Sequence, residues 1–161
     1  MAILANHYGN IVVRCYCLVY TGDEGVDMKQ IEATIFVEPT AKGRARSRIA
    51  GKHVITYTPA KTRNAENMIA AMIRQEVMKR GSFDVGMPLK LSATFYIEKP
   101  KSTGKKVLMP VKRPDLDNYG KLLLDALNKY AWHDDSQIID LHLRKRFGSP
   151  PRIEIMIREV E

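Results

Sequence analysis

The run Arg113-Pro114-Asp115-Leu116-Asp117-Asn118-Tyr119-Gly120-Lys121, followed by Asp125 and then Trp132-His133-Asp134-Asp135-Ser136-Gln137, gathers carboxylates and a lysine in an otherwise basic chain. In an extended segment successive side chains alternate in direction, so Asp115 and Asp117 project to one side while Leu116 points into the core. If Asp117 caps the helix that follows, Lys121 lies one turn along the same face, where its ammonium can neutralise phosphate charge. Asp134 and Asp135 come after that helix. A helix of about 11 residues is roughly 16 Å long, and the segment from Lys129 to Asp134 spans up to about 20 Å when extended. A return of these acids to the Asp115 end is therefore geometrically allowed.

Three carboxylates at one point repel one another unless a cation lies between them, because unpaired like charges raise each other's pKa. Oxygen-only donors select hard ions: Mg²⁺ is typically held by one or two carboxylates with water and substrate phosphate, and Mn²⁺ accepts the same ligands. Such an ion lowers the pKa of bound water and offsets charge developing on a phosphodiester, so the chemistry indicated is hydrolysis of a nucleic-acid backbone. A plainer reading competes, since Pro followed by Asp at a helix start is also an ordinary cap. His133, His142, Asp125 and Asp140 read as surface or core-edge residues, and Trp132 as a core anchor.

The surroundings of the acids are cationic. Lys plus Arg number 26 against 18 Asp plus Glu, and the sequence pI of about 9.5 favours a polyanionic partner. From Pro39 to Ala65 there is no acid, while Lys42, Arg44, Arg46 and Arg48 lead a series of cations. A second acid-free stretch, from Lys99 through Lys112 and Arg113, leads straight into Asp115. Loops of this kind contact phosphates and fix position without reading base identity.

Several classes are set aside by composition. Cys15 and Cys17 are separated by one residue, which suits neither a Cys-x-x-Cys site nor a disulfide between alternating strand faces. They read as reduced thiols of a cytoplasmic protein. The longest apolar run, Ile11 to Tyr20, contains Arg14 and falls short of the roughly 20 residues needed to cross a bilayer; it also lacks the flanks of a secretory signal. No membrane association is expected.

The elements that must position the acids can be read from periodicity. Residues 1–27 read as an N-terminal extension, a strand over Ile11–Tyr20 and a loop, and residues 28–161 as one domain. Ile31, Ala33, Ile35 and Val37 alternate over Gln30–Glu38 as in a half-buried strand. A loop from Pro39 to Ser47 and a strand from His53 to Tyr57 would complete a basic hairpin-like element. Thr62 is the expected N-cap of a helix whose apolar positions from Ala65 to Val77 end at Lys79, Arg80 and Gly81. Leu89–Ile97 reads as a strand and Pro100–Pro110 as a loop. A second helix over Asp117–Asn128 carries the stripe Leu116, Tyr119, Leu123, Leu127 and Tyr130. Strands over Ile138–Phe147 and Arg152–Val160 finish the chain. The order β-β-α-β-α-β-β predicts a single α+β domain, a mixed β-sheet packed with two main helices.

The run Arg-Pro-Asp-Leu-Asp-Asn at 113–118, Lys121, Asp125-Ala126-Leu127 and Trp132-x-Asp-Asp-x-Gln at 132–137 resemble the signature of the RusA family of Holliday junction resolvases, from about residue 30 to the end. Lys42-Gly43-Arg44-Ala45-Arg46 and Tyr57-Thr58-Pro59 look like the basic amino-terminal segment of members from Gram-positive bacteria and their phages. The resemblance implies a RusA-like, homodimeric, Mg²⁺-dependent endonuclease, bacterial or phage-encoded, that cuts opposed strands of branched DNA at four-way junctions. It places metal ligands on Asp115, Asp117 and Asp135 and an essential lysine on Lys121, and ranks Asp134 below Asp135. The extension 1–27 is not part of the family pattern. A non-catalytic DNA-binding module of a phage recombination system would explain the basic segments but has no need of Asp115, Asp117, Lys121 and Asp135 at these spacings.

Overall fold

The computed structural model describes residues 20–21 and 27–160. The expected strand over Ile11–Tyr20 lies almost wholly outside them. Tyr20–Thr21 (β1) pairs antiparallel with Asp27–Met28 (β2), so β2 straddles the boundary expected after residue 27.

The main sheet has four strands in the order β3-β8-β6-β7, formed by Gln30–Ile35 (β3), Leu89–Ile97 (β6), Ile138–Phe147 (β7) and Arg152–Glu159 (β8). The pairs β3·β8 and β6·β8 are antiparallel, whereas β6·β7 is parallel. A parallel pair needs a crossover, and helix α2 (Leu116–Leu127) supplies it. Strict alternation puts Ile31, Ala33 and Ile35 of β3, Leu89, Leu91, Ala93 and Phe95 of β6, and Ile153, Ile155 and Ile157 of β8 on one buried face. Two helices cover it: α1 (Ala60–Arg80), through Ile69, Met72 and Ile73, and α2, through Tyr119, Leu122, Leu123 and Leu127. At about 1.5–3 kcal/mol for each fully buried aliphatic or aromatic side chain, this packing fixes α2 firmly, and what its outer side carries is fixed with it. The chain is thus α+β with a mixed sheet, as the element order predicts.

Four local expectations need correction. Strand β3 ends at Ile35, because Val37 N–H turns back to the Ile35 carbonyl at 3.0 Å. The hairpin forms not between residues 30–38 and 53–57 but between Arg46–Ala50 (β4) and His53–Tyr57 (β5), as a separate two-stranded ribbon. Gly51, at φ 63°, supplies the left-handed residue that so short a loop requires. Helix α1 starts after Pro59, which holds the N-cap position at φ −55°, and Thr62 is buried inside the first turn. Its Oγ1 accepts the Gly43 N–H at 3.0 Å instead of capping. The stripe of α2 stops at Leu127, since Tyr130 lies past the helix end and is 40% exposed beneath the Arg74 guanidinium.

Candidate nuclease site

The first turn of α2 presents two of the carboxylates. Asp115, not Asp117, occupies the N-cap position, with extended backbone (φ −74°, ψ 149°), and its side chain makes no capping hydrogen bond. The capping alternative therefore does not consume this carboxylate. Leu116 packs against the core, while Asp115 and Asp117 both face solvent. Lys121 Nζ donates to Asp117 Oδ2 at 2.8 Å, one turn along the helix, and this hydrogen bond is the main reason the Asp117 carboxyl stays below the usual range. The pair is solvated, so the lysine can turn toward a phosphate at little cost.

The segment leading into Asp115 is tied to the end of β7. Lys145 Nζ donates to the carbonyls of Lys112 at 2.9 Å and Pro114 at 2.8 Å. Lys112 and Arg113 are left exposed. Lys145 escaped the sequence reading because its strand position marks it as a face residue, and only the parallel β6·β7 register brings it under this loop.

Asp135 lies at the other end of α2. After Leu127 the chain turns through Ala131, whose carbonyl accepts the Phe83 N–H, and Trp132, which is buried. Trp132 Nε1 donates to Asp135 Oδ1 at 2.8 Å, so the tryptophan is a core anchor that also orients a carboxylate. Burial is the main cause of a raised Asp135 pKa, opposed by the Trp132 hydrogen bond and reinforced by Asp125 and Asp134. Asp134 is occupied locally. It accepts from Ser136 N–H at 3.0 Å and from Lys129 at 3.4 Å, which hold its pKa down at about 2, and with Gln137 it forms a capping box around the 3-10 turn Asp135–Gln137. Gln137 is buried and satisfied: Oε1 accepts from His133 and Asp134 N–H, and Nε2 donates to the carbonyls of Asp84 and Met87. Each residue of Trp132-x-Asp-Asp-x-Gln thereby has a physical task.

One chain brings Asp115, Asp117 and Lys121 together but not Asp135. Helix α2, with 12 residues, is about 18 Å long and separates them; Asp135 precedes the start of β7, whereas Lys145 near the end of β7 holds the Asp115 loop. Among the described residues, no group of three His, Cys, Asp or Glu stands close enough to hold a metal ion. The exposed Asp115 and Asp117 fit a hard cation completed by water and phosphate; the third carboxylate does not reach it within one chain.

Asp125 is a surface residue, as expected, and it has a partner there. It pairs with Lys42 Nζ and acts on both Asp135 and Glu66, whose pKa is raised first by burial and then by Asp125. The sequence signal for it is the i, i+4, i+8 series Asp117, Lys121, Asp125 along one helix face. His142 and Asp140 pair with each other at 2.9 Å on the sheet surface, and His133 is exposed, as expected.

The basic segment runs over this helix. Lys42 N–H donates to the Asn118 carbonyl at 2.8 Å, and Gly43 N–H to Thr62, so residues 42–43 strap α2 to α1 beside Asp117. The Lys42 ammonium is engaged by Asp125, whereas Arg44, Arg46 and Arg48 are exposed beyond the strap. No helix among the described residues is long and apolar enough to cross a membrane.

Fold and site together define an α+β protein that offers solvent-facing carboxylates and a lysine at a helix start, framed by cationic segments suited to a polyanionic chain. Residues 37–158 match the family described as "Endodeoxyribonuclease RusA", and the chain belongs to that family of nucleases. It is 37% identical over 140 residues to "Uncharacterized protein YqaN" of Bacillus subtilis (strain 168), covering 83% of this chain and 99% of the relative. It is also 40% identical over 92 residues to "Crossover junction endodeoxyribonuclease rusA" of Lactococcus phage r1t, covering 55% of this chain and 70% of that protein.

Proposed function

We propose that the protein is a divalent-metal-dependent endonuclease that resolves Holliday junctions in DNA recombination and repair, in the bacterial cytoplasm, with Mg²⁺ as its ion and Mn²⁺ as a substitute. The observation that carries this reading is the exposed pair Asp115 and Asp117, with Lys121 one turn away, beside a basic strap hydrogen-bonded to the same helix turn at Asn118. When bound, the ion supplies a nucleophile from water and neutralises charge on the scissile phosphodiester. Asp115 and Asp117 hold it, Lys121 binds the phosphate it approaches, and Arg44, Arg46, Arg48, Lys112 and Arg113 position the flanking backbone.

Asp135 joins the set from a second copy of the chain. The separation of carboxylates along α2 favours this arrangement, because a two-fold axis that sets two such helices antiparallel brings the Asp135 end of each toward the Asp115 end of the other. A homodimer also provides the two sites that paired cuts require. In the test, Asp115→Asn and Asp117→Asn abolish cleavage of a four-way junction in Mg²⁺ yet bind it at least as tightly, since a ligand is lost while negative charge near DNA falls. Wild-type turnover by both variants would sink the assignment.

A further inference from the structure

The β4–β5 ribbon is unusual in burying almost nothing. Nine of its ten paired residues are exposed, Ala50 alone being intermediate, although a lone two-stranded hairpin is at best marginally stable in water. Its two faces differ. The register pairs Arg46 with Tyr57 and Arg48 with Ile55 on one face, and Ser47 with Thr56 and Ile49 with Val54 on the other. Ser47 Oγ and Thr56 Oγ1 share a hydrogen bond of 3.0 Å, and beyond them Ile49 and Val54 stand side by side at 81% and 70% exposure next to the turn. A face that sets Arg46 and Arg48 beside the half-exposed Tyr57 and Ile55 thus backs a small apolar tip.

We propose that this ribbon is a branch-point wedge: Ile49 and Val54 enter the interrupted base stack at the centre of branched DNA while Arg46 and Arg48 hold phosphates of the adjoining arm. The inference rests on the branched-DNA reading above and adds the element that recognises the branch. Charge selects the occupant, because no acid occurs from Pro39 to Ala65, and a polyanion is the partner such a segment attracts. The tip, with Ile49 and Val54 as its apolar side chains, is also too small to core a protein interface, which buries about 800 Å² per partner.

Apolar wedges between base steps cost a few kcal/mol of unstacking in a continuous duplex. At a branch the stack is already broken, and that cost falls, so the same side chains discriminate branched from linear DNA. The ribbon has the reach: five-residue strands extend about 17 Å. Its root is anchored by Lys42 N–H to Asn118, in the α2 turn that carries Asp117, and by Gly43 N–H to Thr62 in the first turn of α1. A wedge seated at the branch therefore brings the carboxylates to phosphates close to the crossover.

The experiment compares wild type with Ile49→Ser/Val54→Ser and with Arg46→Ala/Arg48→Ala on a four-way junction carrying 2-aminopurine at its centre and on a linear duplex of the same sequence, both in EDTA. Expected is a rise in 2-aminopurine fluorescence with wild type that the serine pair loses, along with a drop of tenfold or more in junction affinity and no change on linear duplex. The arginine pair weakens both substrates and lowers the salt slope by about two. Junction preference and fluorescence surviving the serine pair would overturn the wedge and leave the nuclease reading intact. A serine pair that sediments as a smaller species than wild type would also overturn it, by showing the tip buried between copies. No wild-type preference for junction over duplex would remove the branched-DNA reading itself.

Discussion

Replacing Trp132 by Phe retains most of a buried ring and deletes one hydrogen-bond donor, the indole N–H held 2.8 Å from Asp135 Oδ1. Two costs follow, and they are read by different assays. The lost bond and the smaller ring lower stability by about 1–3 kcal/mol. This is less than the 5–15 kcal/mol typical of a folded domain, so the variant folds with a melting midpoint several degrees lower. The functional cost is of similar size but falls on the metal site. Asp135 keeps its burial and its like-charged neighbours Asp125 and Asp134 but loses the partner that orients its carboxylate and opposes its raised pKa. Loss of such an outer partner typically reduces metal affinity or activity by about 10–100-fold. The Mg²⁺ concentration for half-maximal junction cleavage should rise by that factor, with rate largely recovered at excess Mg²⁺ and junction binding in EDTA unchanged. A folded variant with an unaltered Mg²⁺ titration would refute the role given to both Trp132 and Asp135.

Changing Arg44, Arg46 and Arg48 together to Ala should reduce the slope of log affinity against log salt by about three contacts' worth, measured on junction DNA across a salt series; an unchanged slope puts the segment off the DNA. The folded pKa of Asp134, about 2 against an ordinary 3.8, is depressed, so its contribution to stability is present above the ordinary value and is lost as pH falls through about 2. Between those pH values Asp134→Asn should lose less stability on acidification than wild type, by urea unfolding in EDTA. Mixing wild-type chains with Asp117→Asn chains should give heterodimers that nick and seldom complete the paired cut. A monomer by sedimentation that makes both cuts disproves the dimeric site.

The sheet and helices were legible because their periodicity reports burial. β6 and β7 begin and end where alternation places them, and the 3.6-residue pattern from Ala65 to Val77 lies inside α1. The ribbon was half legible for the converse reason: Arg46–Ala50 buries neither face, so no alternation marks it as a strand. Thr62 looked like a cap because Ser and Thr often are, but Pro59 starts the helix three residues earlier and the threonine hydroxyl goes to Gly43. The carboxylates were found by residue type. Their division between the two ends of α2 was not, because chain reach permits a return to the Asp115 end and only the parallel crossover decides against it. Asp125 was read as a surface residue, but its ion pair was not legible, because Lys42 lies far upstream and reaches it through the strap.

The strand order carries a kinetic consequence. β8, C-terminal to every other described element, lies inside the sheet between β3 and β6, so the first strand of the sheet finds its partner only when the last has been made. Such long-range pairing makes for slow folding, and no N-terminal part of the chain can close the core alone. On the ribosome, β3 and one edge of β6 must wait unpaired until Arg152–Glu159 emerges. A copy terminated before Arg152 lacks the strand that joins β3 to β6, and with it the closed sheet on which α2 and its carboxylates are seated.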